Sequence, residues 1–210
     1  MIPRRPSTGA ALSERGATVG GVNETAQELS AMQALLDGSI ARASAHLTSI
    51  VEPGRRTRSA RQLADELTGV CVLNVATVTA RGEPRLSAVD GHFLHGRWHF
   101  GTSGTAAKAR QLTARPAISV GYTPRDGYGV WAHGTAVRLA GGGAEESRLL
   151  GYLALLYGVS PTEWGDDLAF FRVEPTWMVG FAMTADEESG MAEQLAQRQA
   201  RLPEALEVLR

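Results

Sequence analysis

Residues 98–116 read WHFGTSGTAAKARQLTARP. A strand ending at Phe100 runs into a small, hydroxyl-bearing bend, Gly101, Thr102, Ser103 and Gly104, and a short helix then opens with Lys108 in its first turn. The free amides of a first helical turn and the helix dipole together favour an anion. Small residues let backbone N–H groups come close to it, and the lysine adds a full charge. The chemistry of the stretch is that of a phosphate cradle. It is not a nucleotide P-loop, because the G-x-x-x-x-G-K-[ST] spacing is absent. A Ser/Thr-capped helix carrying an exposed lysine uses the same residues. Spacing leaves both readings open.

The elements around this segment read mainly as β. Residues 70–79 (VCVLNVATVT) are β-branched and mostly apolar, the pattern of a strand buried on both faces. A turn at Ala80–Glu83 leads to strands at 84–94 and 97–102, hinged at His95-Gly96. After the 105–113 helix, ended by Arg115-Pro116, strands are expected at 117–122 and 130–139 around the turn Pro124–Gly127. Gly141-Gly142-Gly143 opens a helix with Leu149, Tyr152, Leu153 and Leu156 on one face, stopped by Gly158. Two last strands, 168–173 and 177–183, are separated by Glu174-Pro175. Tight turns joining so many short strands suit a closed antiparallel barrel, which leaves no exposed edges.

Three stretches divide the chain: an N-terminal arm and helix (1–54), a barrel (55–183) and a polar tail helix (184–210) with a break at Pro203. Residues 1–22 are rich in Gly, Ser, Thr, Ala and Arg and read as a disordered arm. Helical periodicity starts after Asn23, a candidate N-cap, and runs through Leu29, Met32, Leu35, Leu36, Ile40 and Leu47, with Asp37-Gly38 as a possible break. Ser59 and Gln62 form a capping box before Leu63 and Leu67, preceded by the basic run Arg55, Arg56, Arg58 and Arg61. That run could touch a phosphate or simply be a solvated helix start.

Composition narrows the function classes. The chain has 210 residues, 43% of them hydrophobic, enough for a real core. Its 21 Lys+Arg against 22 Asp+Glu give a net charge of −1, so no global positive field exists to hold nucleic acid or an acidic membrane. One cysteine, Cys71, permits neither an intrachain disulfide nor a multi-cysteine zinc site, and it reads as a small buried hydrophobe. No apolar run is long enough to span a bilayer and no secretory h-region leads the chain, so a cytoplasmic protein is expected.

Several stretches in order resemble the pyridoxamine 5′-phosphate oxidase-like, FMN-binding split β-barrel family. Phe100, Gly101, Thr102, Ser103, then Lys108, Ala109, Leu112 and Pro116 are similar to its flavin-phosphate segment. The strand Val72–Ala80 with Gly82-Glu83-Pro84-Arg85 is similar to its opening. Ala117–Gly121 and His133-Gly134-Thr135-Ala136 stand where it has two central strands. Arg172-Val173-Glu174-Pro175-Thr176-Trp177 is similar to its closing motif. The resemblance covers residues 58–183. It implies a six-stranded antiparallel split β-barrel with peripheral helices, paired as a homodimer with two flavin or deazaflavin sites across the seam. By position, Arg85 and Lys108 would bind the cofactor phosphate and Thr102 and Ser103 would hydrogen-bond it. Ser87 and Val89 would lie along the ring, and Trp177 would close the site from the other subunit.

The departures from the oxidase itself are as specific. Ala106-Ala107 replace its Ser-Arg, Asp90 stands near its flavin-facing lysine, and Trp131 and His133 replace an Arg and a Glu. Its C-terminal substrate motif gives way to Trp177-Met178-Val179-Gly180. The resemblance therefore implies FMN or coenzyme F-420 as cofactor and hydride transfer to a small organic substrate other than pyridoxamine phosphate, the alternative being a haem-binding split barrel, as a haem enzyme or as a haem or flavin carrier or sensor. The hydride chemistry belongs to the cofactor, so no side chain need be an acid or base. If a proton donor is required, His133 is the candidate, with Tyr122 behind it. His92, His95 and His99 gather at one hairpin without a carboxylate or cysteine at ligand spacing, so they read as exposed turn histidines plus one polar barrel residue, not a metal site. No Gly-x-Ser-x-Gly elbow supports a hydrolase.

Overall fold

The computed structural model describes residues 24–165 and 167–207. The arm expected at 1–22, and Asn23, lie outside them. Six strands close an antiparallel barrel: β1 (Cys71–Val78), β2 (Pro84–Leu94), β3 (Arg97–Ser103), β4 (Ala117–Arg125), β5 (Tyr128–Arg138) and β6 (Leu168–Ala182). Their order around the wall is β1-β2-β3-β6-β5-β4.

Strand β1 corrects one expectation. Cys71, Leu73, Val75 and Thr77 point inward and are buried, whereas Val72 is 59% exposed. Its apolar run is therefore not buried on both faces; the barrel's outer wall has no layer over it at that position. The two strands expected at the end of the chain are one, β6. Glu174-Pro175 does not break it, because the β5–β6 register shifts between His133 and Gly134, pairing His133 with Trp177 but Gly134 with Pro175. The extra residue, Thr176, is a bulge, where a proline without an N–H is tolerated. The hairpin turns are as tight as their sequences suggest. His95 and Gly96 both have positive φ, 54° and 72°, as a two-residue turn of this hand requires. β4 and β5 run on into the expected Pro124–Gly127 turn, leaving Asp126-Gly127 as its tip.

Among the described residues seven α-helices lie around the barrel: α1 (Ala26–Ala41), α2 (Ala45–Val51), α3 (Ala60–Glu66), α4 (Ala107–Ala114), α5 (Ala144–Tyr157), α6 (Ala185–Ala200) and α7 (Leu202–Glu207). Helix α1 starts from a capping box at Thr25 and Glu28 and runs unbroken through Asp37-Gly38. Gly38 is tolerated there because the helix is held by tertiary contacts. Met32 and Leu36 enter the main core, and the fully buried Ser39 hydroxyl accepts from the Met178 amide of β6 at 2.9 Å. The Ser59/Gln62 capping box opens α3, whose Leu63 joins the same core. The tail breaks at Arg201, just before Pro203. No helix among the described residues is long and apolar enough to cross a membrane.

Helix α5 makes a second, smaller core against the outside of the barrel, with Leu149 and Leu153 packed on Phe170 and Leu139. It seals two histidines that face each other across β2 and β3, His92 and His99. They are 3% and 5% exposed, so they are not the exposed turn residues expected; only His95 stands out at the turn. Tyr152 and Tyr157 meet the His92 ring edge-on, and Glu145 reaches His99 at 3.5 Å. Burial pushes the pKa of both histidines below the ordinary 6.5, partly offset by hydrogen bonds to Gly69 and to Glu145. Groups held neutral in the fold but free to charge in the unfolded chain stabilise the fold fully above their unfolded pKa. That stability falls as pH drops below 6.5, by up to about 1.4 kcal/mol per pH unit for each histidine. Urea midpoints compared between about pH 7.5 and 5.5 should fall accordingly. A His92→Phe, His99→Gln variant should show a much flatter dependence.

Candidate functional site

The barrel wall opens between β2 and β3. β2 and β3 pair only from Gly91 to Leu94 and Arg97 to Phe100. Beyond that, Pro84–Asp90 of β2 stays with β1, and Gly101–Ser103 of β3 stays with β6. Helix α4 leaves β3 and reaches β1, so it spans the opening. Its Ala109 and Leu112 enter the core. Gln111 accepts from the Thr77 hydroxyl at 2.6 Å, and Arg115 Nε donates to the Val78 carbonyl at 3.1 Å.

Those two bonds fix where the expected anchor residues lie. Lys108 stands one turn before Gln111 on α4, and Thr77 pairs in register with Arg85. Lys108 and Arg85 therefore share one corner of the barrel. Ser87 and Val89 pair with Val75 and Leu73 and share their inward side, Val89 packing on the core. Thr102 is the last inward position of β3 before the bend. Five of the expected cofactor residues thus border the split.

The start of α4 is not a Ser/Thr cap. The N-cap is Ala106, with no side-chain hydrogen bond to the first turn. Lys108 is the only lysine in a chain with 21 basic residues. It makes no ion pair among the described residues. A cation in a first turn opposes the helix dipole by about 0.3–1 kcal/mol. An uncapped start and an uncompensated lysine leave this corner short of negative charge.

Ser103 is differently placed. Its hydroxyl lies 2.8 Å from that of Thr105 and 3.5 Å from a carboxylate oxygen of Asp167. The same carboxylate oxygen accepts from the Thr105 amide at 2.8 Å, and the Asp167 carbonyl accepts from the Gly104 amide at 2.9 Å. The carboxylate lies so close over Gly104 that an added Cβ would come within 2.3 Å of it. One end of the bend is therefore held by an internal anion. Sequence spacing gave no sign of Asp167, which lies 62 residues beyond Thr105 and arrives only because Ser103 pairs with Leu168. Arg85 carries a partner too, Glu83 at 2.7 Å.

Trp177 and His133 form a separate group. They pair directly across β5 and β6, with rings 4.7 Å apart and 19° from parallel. His133 Nδ1 lies 2.9 Å from the Ser119 hydroxyl. Trp177 is eight residues along β6 from Ala169, the partner of Thr102, or roughly 26 Å at strand rise. Around the wall the pair lies nearer, since His133 pairs with Ser119 of β4 and Ser119 with Ala76 of β1, the neighbour of Thr77. Tyr122 is elsewhere again, at the barrel end that holds Cys71, and burial pushes its phenol pKa up. Cys71 is buried and its thiol is pushed up by the same cause, as suits a packing residue. Of the basic run, Arg55 and Arg56 are held by Glu187, and Arg61 by Asp65. No cluster of three metal-binding side chains occurs among the described residues.

No family model and no curated protein matches the sequence. Solved structures do. A flavin-adenine-dinucleotide-binding protein from Mesorhizobium loti is 18% identical, with a TM-score of 0.48 over 61% of this chain and 98% of its own. A haem storage protein from Vibrio cholerae is 17% identical, at 0.45 over 66% and 96%. An F420 reductase is 19% identical, at 0.44 over 53% and 91%. At these identities and scores the likenesses assign no function.

Proposed function

We propose that this chain binds a flavin or deazaflavin at the split between β2 and β3 and acts as an oxidoreductase on a small organic molecule. The observation that carries this reading is the α4 corner: an uncapped first turn with the chain's one lysine, unpaired among the described residues, one turn from the Gln111 that meets Thr77 beside Arg85. A phosphate supplies the missing charge. Bound there, a flavin or deazaflavin supplies the hydride chemistry. Lys108 and the first-turn amides hold its phosphate, Thr102 offers a hydroxyl, and Ser87 and Val89 flank the ring. Trp177 and His133 alternate with the core residues Met178 and Ala132 and so stand on the outer wall, where they serve the site of a second copy. The outer wall of β1 and β2, with Val72 59% and Leu86 72% exposed, is apolar enough to be the seam of that homodimer. His133, held at Nδ1 by Ser119, can pass a proton at Nε2 to a substrate on the open face.

Charge favours a deazaflavin over FMN. Glu83 offsets Arg85 and Asp167 lies over the adjoining bend, leaving Lys108 as the one unpaired charge of the corner among the described residues. A singly charged phosphodiester, as in the deazaflavin, fits that better than the doubly charged monoester of FMN. Asp167→Asn is expected to tighten FMN binding about tenfold while moving the deazaflavin less, measured by quenching of cofactor fluorescence. An unchanged ratio would remove the charge argument.

One observation favours a second reading, haem binding. His133 has its Nδ1 held and no partner at Nε2 among the described residues, the arrangement of a ligating histidine. A Soret band lost in His133→Ala would support it.

A further inference from the structure

The strand directions put a second polar hollow at the other end of the barrel from α4. It has a volume of about 310 Å³ and is lined by Arg58, Glu66, Tyr122, Pro124, Arg125 and Tyr128. That is the low end of the range for small-ligand sites. Its unusual member is Arg58. The side chain is only 23% exposed, yet its Nε is buried and makes no hydrogen bond. Glu66 lies 3.3 Å from Nε without hydrogen-bond geometry, and its other oxygen already accepts from the Tyr128 hydroxyl at 2.9 Å. A guanidinium has five donors. None of those on Arg58 is used by another side chain or carbonyl among the described residues. Buried polar groups without partners are uncommon and call for a reason.

The orientation of Arg58 is fixed from both ends. Its Cβ rests against Gly180, and its amide donates to the Gly180 carbonyl at 2.9 Å. Its head lies by Glu66, in the hollow. The facing wall is aromatic. Tyr122 and Tyr128 meet edge to face at 6.3 Å, and the Arg125 guanidinium lies 5.0 Å over the Tyr128 ring while pairing with Glu188 at 3.0 Å. Each guanidinium has one carboxylate neighbour, so what the hollow offers an anion is the unused N–H donors of Arg58 beside a second guanidinium. Two phenol rings and a proline ask for a flat apolar body.

We propose that this hollow is a binding site for a small aromatic carboxylate, its carboxylate on Arg58 and Arg125 and its ring against Tyr122 and Tyr128. The proposal is independent of the cofactor reading, since the two sites lie at opposite ends of the barrel. Benzoate is the probe, titrated by calorimetry into the full chain, with acetate and inorganic phosphate for comparison. Benzoate should bind more tightly than either. Arg58→Gln should weaken it about tenfold or more, the loss expected for one charge-assisted contact. Because Arg58→Gln also removes the Glu66 neighbour, the exposed Arg125→Gln serves as a second variant and should weaken benzoate as well while leaving the fold's melting temperature unchanged. No benzoate binding by the wild-type chain, binding by both variants as tight as by wild type, or tighter binding of phosphate than of benzoate would each overturn the proposal.

Discussion

Lys108→Ala is expected to weaken flavin or deazaflavin binding by about 1.5–3 kcal/mol, roughly ten- to a hundredfold, with little change in stability. The size follows from one charge-assisted hydrogen bond lost to a phosphate. The neutral effect on stability follows from the site itself. Lys108 makes no ion pair among the described residues, and its charge opposes the dipole of α4. Removing it should leave the free protein as stable as before or slightly more so. Lys108→Arg should recover most of the affinity. Because Lys108 is the chain's only lysine, reductive methylation modifies only this side chain and the α-amino group. A bound cofactor should shield Lys108 from that reagent. Equal binding by wild type and Lys108→Ala would remove the anchor from the site.

Gly134→Ala should be the most destabilising single-methyl change in the barrel wall. An added Cβ would lie 2.0 Å from the Glu174 carbonyl oxygen, a backbone atom that cannot swing aside. Relief requires β5 to move from β6 at the bulge that sets the His133–Trp177 stack. Overpacking against backbone costs about 3 kcal/mol. For a chain of this length that is a fall of roughly 6–12 °C in Tm. Gly141→Ala is the control. Nothing lies within 4 Å of its added Cβ, and its change should stay within about 0.5 kcal/mol. Thermal melts followed by circular dichroism separate the two. If both glycines tolerate alanine equally, the bulge geometry is wrong.

Local features were readable from residues, while relations between distant segments were not. The turns at His95-Gly96 and Asp126-Gly127, the capping box at Ser59 and the stop at Gly158 depend on neighbours in sequence, and each appears in the fold. So does the position of Lys108 in a first turn. The unity of β6 was hidden, because Glu174-Pro175 signals a break unless the partner strand shifts register beside it, and that shift lies at Gly134. The burial of His92 and His99 was hidden for a similar reason. It depends on α5 folding back over the β2–β3 hairpin from some 50 residues away. Asp167 shows the limit most clearly. No local pattern marks it, yet its carboxylate holds the bend before α4 through the Thr105 amide.

Native mass spectrometry of the freshly purified chain, followed by denaturation to release and identify what it carries, tests the cofactor reading most directly. A dimer holding one phosphate-bearing flavin or deazaflavin per subunit, lost in Lys108→Ala, is the expected result. A monomer that takes up neither compound when they are added, or a chain that retains either one equally well without Lys108, would contradict it.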